Sequence, residues 1–556
     1  MTYYDVILIH PPSIFDFRKK PFLPGFIDRT VPSSTPLFIL PPIGMVSIAS
    51  YLQEKGLKVK IINLGEKMLK EGKNLDVEHF LRGLKAHIYG IGLHWVVHSQ
   101  GAIEIARICK RLHPDSLVIL GGLTATCFSE EIVSNFKFVD CIVRGEAEIP
   151  FYSLVANYKH AREKIEAFKK TPNLTFLNKD GRIIKTPEIN VCESLDDLNF
   201  TNIELIEPTP SLVLYQETWH LPISRGCLMN CATCGGSKYS YLKLLKRDRP
   251  AFRSPKKLFE DFSILDEMGI KSIFLFQDVR LGGKHYLEEL FRIFKKSKWS
   301  NICAVGLELF YPATKEYLEK IKTSKIADNI ALSISPESAV EWIRKIHGRA
   351  YSNETLLKTI IASKQLNMPI GIFFMISLGF ESINTIKEMW SFWEQILALN
   401  NQISGDARIY VDFGPMILLD PGSLAFDNPD KYGYRIKFKN FMEHYKNLNL
   451  PHWKYWINYE TVHFNTSDIA NIIIDSSDAL LRIERKLGLV TEKNYELQKL
   501  RIEFERVVLK KIDKIMQNPD PDERNQCIKE LVEISKDPLL TWTYIVTEGC
   551  SSDNMD

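Results

Sequence analysis

Three cysteines lie close together near the middle of the chain, at Cys227, Cys231 and Cys234. Their C-x-x-x-C-x-x-C spacing follows a strand-like run, and no fourth cysteine is nearby in the sequence. A structural zinc site takes four protein ligands, whereas three thiolates can bind three irons of a cubane cluster and leave the fourth iron open to a small molecule. The spacing therefore favours a catalytic iron–sulfur cluster. The alternatives are a zinc site completed by a distant ligand such as Cys303, or three cysteines packed as small hydrophobic residues.

The three-cysteine loop, the glycines Gly235 and Gly236 after it, and the strand and helix pattern that follows resemble the radical S-adenosylmethionine (SAM) superfamily. This resemblance extends along the middle third of the chain. It implies a 4Fe-4S cluster on the three cysteines, whose open iron binds SAM and whose reduced form cleaves SAM to a 5′-deoxyadenosyl radical. It also implies a small electron donor such as ferredoxin or flavodoxin. One position departs from the family, because Thr233 stands before the third cysteine where an aromatic residue is usual.

Length and composition limit the class of protein. The chain has 556 residues, enough for two to four domains, and its 45% hydrophobic and 25% charged content is typical of folded globular protein. The net charge is only +3 and the two signs are interspersed, which argues against a nucleic-acid substrate. The chain enters a strand without a signal-peptide pattern, the cysteines do not form a disulfide framework, and no apolar run reaches the roughly 20 residues of a spanning helix. We therefore expect a cytoplasmic protein.

Strand and helix patterns alternate through the first third of the chain. Buried-strand runs occur at residues 5–10, 58–63, 88–93, 117–120 and 141–144, with helical periodicity between them. Right-handed crossovers between such strands build a parallel, doubly wound sheet of Rossmann-like type. Ligands of such sheets bind beyond the carboxyl ends of the strands.

The run Pro41-Pro42-Ile43-Gly44-Met45, the Gly-Gly pair after the fourth strand and the Arg144-Gly145-Glu146 segment resemble the cobalamin-binding domain fused to many radical SAM proteins. The resemblance implies such a domain over residues 1–157 and a corrinoid held beside the cluster. Its candidate contacts are Pro42, His94, Gly121, Gly122, Gly145 and Glu146. The Asp-x-His-x-x-Gly motif that supplies an axial histidine in other cobalamin proteins is absent from the sequence, so we expect a bound cobalamin to lack that histidine ligand. A domain kept for architecture or substrate docking, with His94 as a structural histidine, is the alternative.

Two segments are less regular. Residues 11–41 form a long insertion after the first strand, which is either a functional lid or a tolerated loop. Residues 158–216 have weak periodicity and a turn at 178–182, so we interpret them as an interdomain linker.

The segment 217–425 again alternates strands and helices, which predicts a partial (β/α)6 barrel of TIM type. Polar residues stand at the carboxyl ends of its strands, where barrels keep their working groups. By resemblance, Gly235, Gly236, Gln277 and Asp278 border SAM, and Glu337 lies near its ribose or amino group; Glu308 and Gly379 occupy further strand ends. Each carboxylate has the alternative of an ordinary solvated loop residue. The basic residues Arg344, Lys345, His347 and Arg349 are interpreted as a solvated helix face, and contact with a carboxylate or phosphate is the alternative.

The remaining residues, 426–556, are predicted to form a mainly helical domain. An aromatic segment at 445–459, together with Trp390 and Trp393, is more typical of a core, and an apolar substrate channel is the alternative.

The order of these regions resembles enzymes that act on unactivated carbon in lipids, tetrapyrroles and antibiotics, and the Asp-Pro-Gly-Ser and Lys-Tyr-Gly-Tyr segments are most similar to archaeal members. From this resemblance we expect a ring synthase that forms cyclopentane rings in archaeal tetraether (GDGT) membrane lipids. That activity implies a hydrophobic, lipid-like substrate and peripheral membrane contact. A cobalamin-dependent radical SAM C-methyltransferase is the first alternative, and a non-enzymatic cobalamin or redox sensor is the second.

Overall fold

The computed structural model of the protein describes residues 3–20, 22–23, 25, 40–210, 218–415, 418–537 and 539–540. Most of the insertion at 11–41 lies outside the described residues, so its role as a lid stays a prediction.

A mostly parallel sheet forms the N-terminal part. Its strands, as far as the chain is described, are β1 (Tyr3–His10), β2 (Val59–Asn63), β3 (Lys85–Gly92), β4 (Leu117–Gly121), β5 (Cys141–Val143), β6 (Leu174–Leu177), β7 (Ile183–Lys185) and β8 (Ile206–Glu207). Their order across the sheet is β7-β6-β5-β4-β3-β1-β2-β8. Strand β6 pairs antiparallel with both β5 and β7, and all other neighbouring strands of this sheet pair in parallel. The doubly wound parallel sheet predicted from the sequence is confirmed.

The strands β1 to β5 of this sheet are mostly buried on both faces, which agrees with their apolar runs. In β1, Val6 and Leu8 pack in one hydrophobic cluster, whereas Ile7 and Ile9 pack in another on the opposite face. Each fully buried side chain of this size stabilises the fold by roughly 1.5–3 kcal/mol. The covering helices are α1 (Ile43–Glu54), α2 (Leu64–Glu71), α3 (Val77–Gly83), α4 (Ser99–Leu112), α5 (Leu123–Cys127), α6 (Ser129–Asn135), α7 (Glu148–His160) and α8 (Lys164–Lys169).

The segment expected to be a linker contributes to this sheet. Strands β6 and β7 form a hairpin around the predicted turn and extend the sheet beyond β5. Strand β8 pairs with β2 at the other edge. These strands are only two to four residues long, too short for a clear alternating pattern, so residues 158–216 differ from the linker that the sequence suggested.

The second sheet is parallel throughout. Its strands within the described residues are β9 (Thr218–Pro222), β12 (Ser272–Phe276), β13 (Ala304–Leu309), β14 (Asn329–Glu337), β15 (Ile370–Ile376) and β16 (Ile409–Pro415), and β10 (Ser224–Arg225) and β11 (Ala251–Phe252) form a small antiparallel pair beside it. Strands β9 and β12–β16 are neighbours in chain order, as in a partial (β/α)6 barrel. The connecting helices are α9 (Lys238–Leu245), α10 (Pro255–Glu267), α11 (Gly283–Phe294), α12 (Lys315–Thr323), α13 (Glu341–Ile346), α14 (Asn353–Gln365) and α15 (Ile383–Gln402). The predicted barrel is confirmed.

Side chains of the barrel strands alternate between the outer core and the lumen. In β12, Ile273 and Leu275 are fully buried, whereas Phe274 and Phe276 point to the other face and are accessible. In β13 and β14, Gly306 and Ala331 occupy the corresponding positions on the accessible face. The lumen is therefore wide at these strands because their inner positions carry small residues.

The C-terminal part is mainly helical, as predicted. It contains α16 (Leu424–Asp427), α17 (Phe441–Asn447), α18 (Thr466–Lys486), α19 (Glu492–Gln517), α20 (Pro521–Ser535) and the hairpin of β17 (Tyr434–Ile436) and β18 (Tyr459–Thr461). Trp393, Trp453 and Trp456 are fully buried in the core. The core interpretation is thus confirmed for these three tryptophans, whereas Trp390 is only partly buried against the core. None of the helices among the described residues has the length and apolarity needed to cross a membrane.

Candidate functional site

The three-cysteine loop connects β10 to α9 at the carboxyl end of the barrel. The Ser237 side chain caps α9 by accepting a hydrogen bond from Ser240 N. Two of the cysteine sulfurs accept backbone hydrogen bonds, Cys227 Sγ from Met229 N and Cys234 Sγ from Gly236 N, each at 3.3 Å. These two hydrogen bonds restrain the side chains of Cys227 and Cys234 within the loop.

The structure brings the three thiols into electrostatic range of one another. Burial raises the pKa of Cys227 and Cys231, and the charge of Cys227 contributes to the pKa of about 11 at Cys231. The charges of Cys227 and Cys231 also act to raise the pKa of Cys234. Metal binding must therefore displace protons from these thiols. Among the described residues, no three His, Cys, Asp or Glu side chains converge as ligands of a single metal ion do. A cubane cluster does not require that convergence, because each thiolate binds a different iron.

Glu337 ends β14 beside this loop. Its backbone has a positive φ of 68°, which is strained for a residue other than glycine. Its Oε1 accepts a hydrogen bond from Arg349 Nε at 3.2 Å, whereas its buried Oε2 has no partner among the described residues. A buried acceptor without a partner is costly, so this oxygen fits a ligand that donates a hydrogen bond, such as the amino or ribose group of SAM.

Arg349 belongs to the basic cluster for which contact with a carboxylate was the less favoured interpretation of the sequence, and the structure shows that contact. Its guanidinium is nearly buried, pairs with Glu337 and donates to Phe310 O at 3.0 Å. Its charge also opposes the effect of burial on the pKa of Cys227 and Cys231. Together with the complete burial of Arg344 and His347, this shows that the prediction of a solvated helix face was wrong except for Lys345. The chain folds back here because Gly348 adopts a positive φ of 96° and passes against Asn230 O, where an added Cβ would lie at 2.5 Å.

Gln277, Asp278 and Glu308 lie at the ends of β12 and β13. Gln277 N donates to Glu308 Oε2 at 2.8 Å, and the Gln277 side chain donates to Gly226 O next to Cys227 and also contacts Ser224. Burial raises the pKa of Glu308. The Asp278 carboxylate is fully buried and accepts from Arg280 and from Phe310 N. Gln277 and Glu308 thus border the cysteine loop, whereas Asp278 stabilises the loops behind it.

The three predicted glycines have different surroundings. Gly235 N donates to Asp420 Oδ2 at 2.8 Å, and an added Cβ would meet the Asp420 side chain at 3.0 Å. An added Cβ at Gly236 would make only ordinary contacts, with Cys234 Sγ at 3.6 Å and Tyr241 Cε2 at 3.8 Å. Gly379 packs against the backbone of Tyr432, whose carbonyl oxygen would lie 1.7 Å from an added Cβ. Gly235 and Gly236 therefore belong to the cysteine loop, and Gly379 serves as a packing point for the C-terminal part.

A second buried carboxyl lies behind Glu337. Glu381 accepts hydrogen bonds from Ser338 Oγ and Leu378 N, both at 3.0 Å. Burial raises its pKa to about 8 against these hydrogen bonds. Glu381 is therefore mostly protonated at neutral pH, and no sequence pattern pointed to it.

A cavity of about 980 Å³ lies between the first sheet and the barrel lumen. The candidate corrinoid residues that line it are Pro42, His94, Gly121, Gly122, Gly145 and Glu146. The barrel wall of the same cavity is formed by His220, Phe274, Phe276, Gly306 and Ala331. The cavity is at the upper end of the size range for ligand sites. The structure thus joins the edge of the first sheet and the lumen in one space.

Glu146 has a role that its position in the sequence did not suggest. Its Oε1 accepts from Arg247 Nε at 2.6 Å, and its Oε2 accepts from Cys192 N at 2.8 Å and from Arg225 Nη1 at 3.4 Å. Arg225 also donates to Glu148 Oε1 at 2.8 Å. We call Glu146, Glu148, Arg225 and Arg247 the interdomain ion cluster. It connects the first sheet to the barrel and, through Cys192, to the segment between them.

The fold around the cavity fits cobalamin in two respects. The carboxyl edge of the sheet presents glycines, of which Gly122 has a positive φ of 115° and packs so closely on the β3 loop that an added Cβ would lie 2.6 Å from His94 Cα. The cavity also continues below this edge, along Leu8, Gly90 and Ile119. The flat corrin ring of cobalamin needs the open edge, and its long nucleotide tail needs such a crevice.

Comparison with known families agrees with this arrangement. The family described as B12 binding domain matches residues 30–155, and the radical SAM superfamily matches residues 221–392.

Curated relatives are distant. An uncharacterized methyltransferase of Pyrococcus horikoshii is 24% identical over 408 residues, which cover 68% of this chain and 83% of the relative. The anaerobic magnesium-protoporphyrin IX monomethyl ester cyclase of Cereibacter sphaeroides is 23% identical over 314 residues, which cover 53% of this chain and 48% of the relative.

Two solved structures share the fold. The radical SAM methyltransferase TsrM from Kitasatospora setae, with cobalamin and a 4Fe-4S cluster bound, has a TM-score of 0.59 and 10% identity, covering 96% of this chain and 99% of that one. The cobalamin-dependent radical SAM enzyme OxsB with aqua-cobalamin has a TM-score of 0.55 and 15% identity, covering 98% of this chain and 78% of that one.

Proposed function

We propose that the protein methylates an unactivated carbon of an elongated, apolar substrate. This chain is a radical SAM enzyme with a B12-binding domain, and it uses a 4Fe-4S cluster, SAM and cobalamin. The observation that supports this proposal is the single cavity shared by the sheet edge and the barrel lumen. A methyl carrier at the sheet edge and a substrate in the lumen would then meet within one enclosed space. The enzymatic domains also set aside the alternative of a non-enzymatic sensor.

The lumen suggests the chemical class of the substrate. Its wall near the sheet is apolar, with Phe274 and Phe276 beside Gly306. Its far end, at the amino ends of the strands, is polar and includes Lys322, Asp328, Asn329 and Asn367. Along β12, the four-residue rise from Ser272 to Phe276, both of which line the cavity, is about 13 Å. An extended hydrocarbon chain with a polar end group fits this distribution.

When bound, the cluster and SAM supply the radical that removes a hydrogen atom, and the cobalamin supplies the methyl group. Cys227, Cys231 and Cys234 would hold the cluster, while the unpaired Glu337 Oε2 would orient the polar groups of SAM. The apolar walls would exclude water and so protect the radical from side reactions. Like other radical SAM enzymes, the protein would take its electron from a small donor such as ferredoxin or flavodoxin.

Ring formation is the second candidate function. It is favoured by the relatives named as cyclases. The tetraether-lipid ring synthase expected from the sequence belongs to this class, and its peripheral membrane contact stays a prediction.

The test is anaerobic reconstitution of the full chain with iron, sulfide and cobalamin, followed by reduction with SAM and an archaeal lipid extract. Methylation would increase the mass of a lipid by one CH2 unit and would produce S-adenosylhomocysteine and 5′-deoxyadenosine. Ring formation would remove two hydrogens for each ring without S-adenosylhomocysteine. An unchanged lipid pool with active SAM cleavage would contradict a lipid substrate.

A matched pair of variants tests the lumen. The Ala331→Trp side chain would fill the lumen and should abolish product formation while leaving the cluster intact. The control Ser391→Trp adds the same side chain on the exposed face of α15 and should retain activity. Equal activity of both variants would contradict substrate binding in the lumen.

A further inference from the structure

His94 stands directly after β3, at the centre of the carboxyl edge of the first sheet. Its side chain is exposed and lines the large cavity. The backbone is held in place because Thr124 N and Thr124 Oγ1 donate to His94 O at 3.0 and 2.9 Å. The close packing of Gly122 on this loop adds a second restraint. The ring is thus presented to the cavity from a rigid support.

The imidazole of His94 is available as a ligand. Neutral imidazole is the form that binds transition metals. The His94 and Trp95 ring centroids are 5.5 Å apart. Within the part of the chain that the structure describes, the His94 ring forms no hydrogen bond.

The other histidines of the cavity are placed differently. His10 and His98 are buried and pack edge to face against each other, with ring centroids 5.2 Å apart. His220 lies on the barrel wall and stacks on Phe276 at 4.9 Å. Among the four, His94 therefore combines exposure to the cavity with a position on the sheet.

The cavity also extends beneath His94. Its lower arm passes between the sheet, at Leu8 and Gly90, and the helices α1 and α7, at Ile48 and Phe151. Cobalamin carries its own nitrogen base on a nucleotide tail. A tail that occupies this arm would draw that base away from the cobalt and leave the cobalt position facing the sheet open to a protein ligand.

We propose that the imidazole of His94 binds the cobalt of the bound cobalamin from the side of the N-terminal sheet. This assignment rests on the cobalamin used in the proposed function. It places a histidine ligand after the third strand of the chain, in a sequence without the Asp-x-His-x-x-Gly motif.

The experiment uses the full chain labelled with ¹⁵N-histidine and loaded anaerobically with cob(II)alamin. Uptake is measured first by visible absorption, and the electron paramagnetic resonance spectrum then reports the axial ligand, because the unpaired electron of cob(II)alamin points along that axis. Binding of His94 predicts doublet splitting of the cobalt lines by ¹⁵N, where unlabelled protein gives a triplet. A triplet in the labelled protein would identify the base of cobalamin itself, and unsplit lines would mean no nitrogen ligand. Either result overturns the assignment.

Two variants locate the ligand. His94→Ala should take up cobalamin but lose the doublet splitting, whereas the control His220→Ala should retain it. A doublet that survives in His94→Ala would overturn the assignment even if a histidine is bound. No uptake of cobalamin by the unaltered protein would overturn both this inference and the proposed methylation, whereas uptake without the doublet would overturn this inference alone.

Discussion

Replacing Glu146 by Gln tests the interdomain ion cluster. The amide keeps the size of the side chain and one oxygen that can accept from Cys192 N, but it removes the negative charge between Arg225 and Arg247. The side chains of Glu146 and Arg247 are each only 5% exposed. Loss of one partner from such a buried pair costs about 3–5 kcal/mol because the other charge is left buried.

The lower end of this range applies here. Arg225 is 18% exposed and keeps its second partner, Glu148, so its share of the loss is small. We therefore expect a loss of about 3 kcal/mol, almost all from Arg247. For a cooperative unit of about 150–250 residues this lowers the melting temperature by about 6–12 °C.

Calorimetry of the Glu146→Gln variant measures this change, and hydrogen exchange shows where it acts. The segment around Cys192 should exchange faster, since Arg247, which loses its charged partner, donates a hydrogen bond to Cys192 O. The matched control is Glu130→Gln, which removes the partner of Lys185 in a pair whose side chains are about half exposed; such pairs contribute about 0–1 kcal/mol. If both variants melt at the same temperature, the ion cluster does not stabilise the junction and the argument fails.

Three further changes have expected outcomes. Cys231→Ala should lose most of the reconstituted iron and all SAM cleavage, whereas Cys303→Ala, at an exposed thiol, should lose neither; iron analysis of both decides. Burial raises the pKa of folded Glu381 from 4.5 to about 8, so the contribution of this group to stability is complete below pH 4.5 and is lost as the pH rises toward 8. Glu381→Gln should remove this loss, which unfolding curves at both ends of the range would detect. A variant with the same pH dependence of stability as the unaltered protein would contradict this expectation. Gly379→Ala should destabilise the C-terminal part because its Cβ would overlap Tyr432 O, and protection of that part from protease at the unaltered level would refute the packing role.

The sequence predicted those parts of the fold whose patterns are long and regular. Strands β1 and β3 contain short apolar runs at residues 6–9 and 88–91, and runs of this length next to turn residues are typical of strands buried on both faces. The cysteine loop was recognisable because its spacing is short and local. All six candidate corrinoid residues line one cavity, since parallel strands end at the same edge of a sheet.

Features that depend on distant contacts could not be predicted. The partners of Glu146 lie 46 to 101 residues away in the sequence, so the carboxylate looked like a ligand contact. Arg349 reaches the cysteine loop because of one backbone turn at Gly348, which leaves no periodic signal. The acidity of Glu381 depends on burial by elements that are far apart in the chain. In each case, the surroundings of a charged group decide its role, and a sequence pattern does not describe those surroundings.

The placement of β8 has a consequence for the order in which the protein is assembled. The first sheet is not closed at its β2 edge until residues 206–207 have been synthesised, and Cys227 follows only a short distance later. A growing chain, which folds from its N-terminus, can therefore complete the corrinoid-binding sheet just before the iron-binding loop emerges. A chain ending at residue 157 would instead expose the edges of β2 and β5, and open edges of this kind promote aggregation. We therefore expect that the N-terminal sheet can be expressed as a folded fragment only together with the segment that leads into the barrel.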